Sequence, residues 1–176
     1  MITLIPVKTA RQQQELAVLA DHIWKEYWPS RIGQAQTDYM VEQFQSLEAI
    51  THDMAENDYE YWFAVAHDEP GFAEGAVVGF TGGHDEPETD RFFISKIYLL
   101  EEARGHHFAS AVIRFYNDLC ASRGWRAMYL TVNKYNEMGI RCYEAKGFET
   151  IECVETDIGH GFIMDDFIME RQTQRA

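Results

Sequence analysis

Apolar residues recur every three or four positions in the first part of the chain. Leu16, Leu19, Ala20, Ile23, Trp24 and Tyr27 share one face between Ala10 and Trp28. That spacing predicts an amphipathic helix. The run Pro29-Ser30-Arg31-Ile32-Gly33 ends it. A second helix is predicted from a Thr37 or Asp38 cap to about Glu56, with Met40, Val41, Phe44, Leu47 and Ile50 turned inward. The period returns in Phe108, Ala109, Val112, Ile113, Tyr116, Leu119 and Cys120. This predicts a third helix from near His106 to Arg123, with Gly124 just past its end. A short fourth helix is predicted from an Asn136 cap to a stop at Gly147.

Other segments are β-branched and aromatic, or alternate with period two. They predict strands over Thr3–Val7, Tyr59–Ala66, Ala76–Thr81, Phe92–Leu100, Ala127–Asn133, Glu149–Glu155 and Phe162–Glu170. His67–Gly75 and Thr156–His160 read as turns, and Gly82–Asp90 as an acidic loop. The result is an α/β (α+β) fold: one mixed, mainly antiparallel sheet of about seven strands, with about four helices. At 176 residues, 46% hydrophobic and 14% aromatic, the chain suits a single globular domain over 1–176.

Charge adds a direction. The net charge is −14, but residues 91–146 hold nine basic and five acidic residues, and Ile32–Asp90 holds 14 acids with no lysine or arginine. A cleft walled by the acidic segment attracts cations and repels polyanions, so nucleic acid is not expected as a partner. Cys120, Cys142 and Cys153 are odd in number and widely spaced, which reads as reduced thiols in a cytoplasmic protein. No apolar run approaches the length of a membrane span, so no membrane partner is expected, and the N-terminal residues lack the pattern of a secretory signal.

The candidate chemistry lies between Phe92 and Phe148. A strand, the turn Glu101-Glu102-Ala103-Arg104-Gly105 and a helix N-terminus form an anion site, because the first helical N–H groups lack intrahelical partners. Arg104 adds a full charge. Each hydrogen bond to a charged phosphate oxygen is worth about 1.5–3 kcal/mol. His106 and His107 point about 100° apart on a helix and no spaced third ligand follows, so no metal is expected.

Arg104-Gly105-His106-His107-Phe108-Ala109 resembles the pyrophosphate loop of the GNAT superfamily of acyl-CoA-dependent N-acetyltransferases. Asn133, Asn136 and the run Ile140–Phe148 resemble that family's second cofactor motif. The stretches Ser95–Leu99, Asp38-Tyr39-Met40 to Phe44-Gln45-Ser46, and Gly161–Met169 are similar to a bacterial subgroup that includes the PaiA-type polyamine acetyltransferases. The resemblance implies a GNAT-like sheet whose strands Phe92–Leu100 and Ala127–Asn133 are parallel and splay apart, with a pantetheine arm bridging their free backbone groups near Ile97, Tyr98 and Leu99. It implies acetyl-CoA as co-substrate, held by those residues, by Arg104, Gly105, His106, His107, Phe108 and Ala109, and by Asn133, Asn136 and Tyr143. Tyr143 falls at the family's tyrosine position and is the expected general acid for the departing thiolate; a phenol with a pKa near 10 suits that exchange. The first helices and their link are implied to wall the acceptor, with Trp28, Tyr39 and His84 as candidate contacts. One departure is His107 where the family has glycine, a cost of about 1–2 kcal/mol if the backbone there is left-handed, and less if it stays helical.

Several points stay open. The attacking amine must lose a proton, and its base is undetermined: His84, Asp85 and Glu86 are candidates that equally read as a solvated loop, Ser95 stands where some relatives have glutamate, and a water chain would also serve. The expected acceptor is a small cationic, polyamine-like molecule with a primary amine. The alternatives are acetylation of a protein N-terminus or lysine, and a non-catalytic acyl-CoA sensor in which His107 has altered the loop. A homodimer is compatible with all three.

Overall fold

The computed structural model describes residues 1–174. Helix α1 (Ala10–Tyr27) begins where expected, and its start is a capping box: Thr9 Oγ1 accepts from the Gln12 N–H at 3.2 Å, and the Gln12 side chain accepts from the Thr9 N–H at 3.0 Å. The Pro-Ser-Arg-Ile break is itself one helical turn, α2 (Pro29–Ile32), because proline suits the first turn of a helix. Gly33, at φ 85°, turns the chain into α3 (Gln34–Phe44).

The single helix expected to run to Glu56 is two. Gln45 ends α3 with φ −127°, and Ser46 starts α4 (Leu47–Glu56) by accepting from the Ala49 N–H at 3.2 Å. A serine that satisfies the backbone locally is a start signal as strong as the apolar period that runs across it. The break turns Leu47 outward, to 39% exposed. With α5 (Phe108–Arg123) and α6 (Glu137–Glu144) there are six α-helices among the described residues, two more than expected.

The strands are β1 (Ile2–Pro6), β2 (Glu60–Ala66), β3 (Val77–Glu86), β4 (Arg91–Leu99), β5 (Ala127–Asn133), β6 (Glu149–Gly159) and β7 (Phe162–Gln172). Their order is β1-β2-β3-β4-β5-β7-β6, which leaves β6 at an edge. The β4–β5 pair is parallel, while β1–β2, β2–β3, β5–β7 and β6–β7 are antiparallel. The parallel register covers four residues, from Arg91–Ala127 to Ile94–Leu130.

Three strands outrun their expected ends. β3 continues through Gly82 and Gly83 to Glu86, where a loop was expected. Gly82 is paired with Tyr61 of β2, and a Cβ on it would stand 2.5 Å from the Tyr61 ring. The glycine is there because an aromatic side chain lies across the strand. The β6–β7 hairpin is longer at both strands and turns at His160-Gly161, both with positive φ (53° and 78°), as a tight two-residue hairpin turn requires.

Backbone contacts group the chain into two compact units. One comprises Met1–His84 and Lys96–Val112; the other comprises Asp85–Ser95 and the chain from Ile113 onward. In the first unit, Leu16, Ala20 and Ile23 of α1 and Ile50 of α4 pack on Tyr61, Phe63 and Phe80. Ala64, Ala66 and Val78 pack with Ala103 and Phe108 in a separate cluster. In the second unit Ile113, Tyr116 and Cys120 of α5 are fully buried, as are Ala127, Met128 and Met169, and the Phe92 and Tyr116 rings lie 5.2 Å apart. Among the described residues no helix is long and apolar enough to cross a membrane.

Candidate active site

The candidate residues divide between the two units. The first holds Trp28, Tyr39, His84, Ile97, Tyr98, Leu99 and the loop Arg104–Ala109; the second holds Asn133, Asn136 and Tyr143.

The loop is built by a change of backbone hand. After β4 a single 3-10 turn (Glu101–Ala103) leads to Arg104 in extended geometry, then to Gly105 at φ 86°. His107 has φ 60°, and α5 starts at the next residue, two later than expected. Its backbone is therefore left-handed, not helical, where the family has glycine. The Ser110 N–H donates to the His107 carbonyl at 3.0 Å, closing the first turn of α5. The N–H groups at this tip are those that a 16-residue helix leaves without intrahelical acceptors. A Cβ at Gly105 would meet no atom within 4 Å, so the loop is open at that point. An open loop that leads into a helix N-terminus fits a diphosphate.

Two side chains brace this loop. His106 Nδ1 lies 2.9 Å from Glu69 Oε1, and its ring meets those of Phe72 (5.2 Å, edge-on) and Phe108 (5.5 Å, stacked), which also meet each other at 5.8 Å. The Glu69 carboxyl is held below its usual range, first by the N-terminal ammonium at 2.9 Å and then by His106. Arg104 folds back rather than standing free: its Nη2 donates to the Leu99 carbonyl at 3.3 Å and lies 3.9 Å from Glu26, with the guanidinium 4.7 Å from the centre of the Tyr27 ring.

Tyr27 continues a chain of rings. It meets Trp28 edge-on at 5.1 Å, Trp28 meets Trp24 at 5.3 Å, and Trp24 meets Tyr98 at 5.6 Å. Trp28, distant in sequence from Tyr98 and Arg104, is thus joined to both through α1. Trp24 and Trp28 are 3% and 7% exposed, and their indole N–H groups have no acceptor among the described residues. A buried donor left unmade costs about 1–3 kcal/mol. Tyr39 lies half-buried on α3, and His84 lies against Tyr59 (4.8 Å) on β3 rather than in a loop.

The other two base candidates serve structure. Asp85 accepts from Trp125 Nε1 at 2.6 Å and from Arg123 at 3.0 Å. Glu86 accepts from the Tyr129 hydroxyl at 2.5 Å and lies 3.7 Å from Arg91.

In the second unit the turn after β5 is a compact set of hydrogen bonds. Asn133 Oδ1 accepts from the Tyr135 N–H at 3.0 Å, and the Asn133 carbonyl accepts from the Asn136 N–H at 2.8 Å. Asn136 caps α6, its Oδ1 accepting from the Gly139 N–H at 3.1 Å. Tyr143 is half-buried on α6 and meets Phe148 edge-on at 5.8 Å.

Two buried charges escaped the sequence reading. Lys96 of β4 is 6% exposed; its Nζ donates to the Phe44 carbonyl at 2.9 Å and to the Tyr61 hydroxyl at 2.8 Å, and lies 3.7 Å from Asp53. Burial pushes this amine down to about 8, against the pull of Asp53. Asp166 of β7 is 5% exposed, and burial pushes its carboxyl up to about 6. The signal available was a charged residue at an inward position of an apolar strand: Lys96 within Phe92–Leu100, and Asp166 within Phe162–Met169.

A family model described as the acetyltransferase (GNAT) family matches residues 20–148. The chain belongs to that family and is an acetyl-CoA-dependent N-acetyltransferase. No curated protein matches the sequence. Among solved structures, the chain is similar to PaiA N-acetyltransferase from Thermoplasma acidophilum in complex with coenzyme A (18% identity, 98% of this chain and 99% of that one, TM-score 0.74). It is also similar to a GCN5-related N-acetyltransferase from Rhodopseudomonas palustris (12% identity, 98% and 96% covered, TM-score 0.75). A third likeness is to the spermidine/spermine N-acetyltransferase SpeG from Vibrio cholerae (16% identity, 98% and 94% covered, TM-score 0.67). At these identities the likeness speaks for the fold.

Proposed function

We propose that the whole chain works as one domain that transfers the acetyl group of acetyl-CoA to a primary amine of a small cationic, polyamine-like acceptor. The observation that carries this reading is the loop from Arg104 to Ala109: its open backbone, left-handed at Gly105 and His107, leads into the N-terminus of α5 and carries the family's sequence pattern. In this reading the loop holds the diphosphate. The backbone of Ile97, Tyr98 and Leu99 takes the pantetheine amides, and Asn133 and Asn136 complete the cofactor side. The neutral amine attacks the thioester carbonyl, the carbon–sulfur bond breaks as Tyr143 gives its phenolic proton to the departing sulfur, and the proton shed by the attacking nitrogen passes to water, from which the phenolate is reprotonated.

The acceptor class rests on charge. The segment Ile32–Asp90, with 14 acids and no lysine or arginine, favours a cation over an anion at the acceptor side. SpeG, named for spermidine and spermine, shares the fold.

The test is a steady-state acetyl-CoA assay against polyamines, aminoglycosides, amino acids and peptides. Turnover led by polyamines supports the proposal. Turnover led by peptides moves the acceptor to protein amines. Binding of acetyl-CoA by calorimetry with no turnover on any amine overturns the proposed transfer and makes the chain a sensor.

A further inference from the structure

We infer that Glu69, in the turn between β2 and β3, is a positioning residue for the Arg104–Ala109 loop: it holds the His106 ring, and with it the backbone that would cradle a diphosphate. The consequence for acetyl-CoA rests on the acetyltransferase reading above; the geometry of the brace does not.

Residues 67–76 join β2 to β3 as a polar turn, the kind of segment that is usually mobile. This one is cross-linked. The Glu74 carboxylate accepts twice, from His67 Nδ1 at 2.5 Å and from the Asp68 N–H at 3.0 Å. On the other side of its ring, His67 Nε2 lies 2.9 Å from Thr3 Oγ1 of β1. Asp68 sits at φ 46°, a left-handed backbone that an L-residue keeps only where its surroundings fix it. Further along, the Phe72 N–H donates to the Glu69 carbonyl at 3.2 Å, and the Phe72 ring packs on Phe108, which is buried. The turn thus presents Glu69 and Phe72 from a fixed frame, and both meet His106.

The choice of a carboxylate is the informative feature. Beside a loop built for an anion a negative charge repels the ligand, so its Coulomb energy does not explain its place. Its hydrogen bonds do. Oε2 accepts from the N-terminal ammonium at 2.9 Å, and Oε1 lies 2.9 Å from His106 Nδ1. These two partners, the ammonium first, hold the carboxyl below its usual range, so it is ionised at neutral pH. An ionised carboxylate only accepts, which places a hydrogen on His106 Nδ1. The ring is then fixed in tautomer by Glu69 and in orientation by the Phe72 and Phe108 rings. His106 stands between Gly105 at φ 86° and His107 at φ 60°. A ring held at this point holds the loop's change of hand and the start of α5 behind it.

The experiment compares the wild-type chain with Glu69→Gln, which keeps an acceptor oxygen without the charge, and Glu69→Ala, which keeps neither. Calorimetry gives the acetyl-CoA Kd, and steady-state assays give kcat at saturating acetyl-CoA. Long-range 15N–1H NMR at about pH 8, where a free histidine is neutral, shows which ring nitrogen of His106 carries its hydrogen. Glu69→Ala is expected to bind acetyl-CoA about threefold to tenfold more weakly than Glu69→Gln, the range of one net hydrogen bond. In both variants kcat should stay within about twofold of the wild type, because the loop holds the diphosphate and not the thioester. The His106 hydrogen is expected on Nδ1 in the wild type and largely on Nε2 in Glu69→Ala. If Glu69 acts by charge alone, both variants bind acetyl-CoA more tightly and alanine no worse than glutamine. That result overturns the inference, as does equal binding by all three proteins. A wild-type His106 with its hydrogen on Nε2 overturns it as well. A wild-type chain that neither binds acetyl-CoA nor acetylates any amine overturns the acetyltransferase reading instead, and the NMR comparison still decides the brace.

Discussion

Replacing His107 by glycine is expected to stabilise the protein, although it removes a whole side chain. The residue has φ 60° immediately before α5. A left-handed backbone costs an L-residue about 1–2 kcal/mol. Glycine escapes that cost but loses more freedom on folding, about 0.5–1 kcal/mol relative to a residue with a Cβ. The imidazole is exposed, so little packing is lost. The balance is a gain of roughly 0.5–1 kcal/mol, and for a chain of this length each kcal/mol moves the melting temperature by about 2–4 °C. Calorimetric melts of the wild type, His107→Gly and His107→Ala therefore separate strain from side-chain loss. Glycine should melt about 1–4 °C higher, and alanine, which tolerates the left-handed region less well than histidine, at or below the wild type. Acetyl-CoA should bind His107→Gly at least as tightly as the wild type, since the backbone it would approach is less crowded. A His107→Gly protein that melts below the wild type with an unchanged circular dichroism spectrum refutes the strain argument.

Three further outcomes follow from the site. Tyr143→Phe is expected to lower kcat at least tenfold with little change in acetyl-CoA affinity; unchanged turnover removes Tyr143 from the mechanism. Trp28→Phe deletes a buried donor that lacks an acceptor, so its melting temperature should hold or rise while KM for the acceptor rises about threefold to tenfold; a fall in stability with unchanged KM would show the indole to be a core residue. Lys96 is depressed from 10.5 to about 8 in the fold, so the unfolded chain binds the extra proton between those values and stability contributed at this site rises with pH across that window. The full span is on the order of 3 kcal/mol at 1.36 kcal/mol per unit, and urea melts at pH 8 and 10 should show the rise in the wild type and a flatter response in Lys96→Met.

The strand and helix pattern of this chain is written largely in its apolar spacing, and the departures have local causes. Ala127–Asn133 alternates cleanly and is β5 with those same limits. The helix over 37–56 was misjudged because Ser46 breaks it through one side-chain hydrogen bond, a signal weaker to the eye than a proline. Gly82-Gly83 resembles a loop in composition; its place in β3 depends on Tyr61, some twenty residues earlier, which composition does not convey. In the candidate site, the position of the Arg104–Ala109 loop before a helix was legible. The hand of the backbone at His107 and the inward retreat of Arg104 onto Leu99 and Tyr27 were not, because both depend on neighbours supplied by tertiary structure. Lys96 and Asp166 were visible as charges in apolar runs, but their partners come from other elements.

One of the two edge strands, β6, is almost wholly exposed and carries Glu149, Glu152, Glu155 and Asp157 along its length. A stray extended peptide that tried to extend the sheet would have to bring its own backbone alongside those four carboxylates, and a second copy of the strand would double them. Near neutral pH this margin is insulated against stacking. Acidification into the carboxylate range strips the insulation, so aggregation in acid, should it occur, begins at this border.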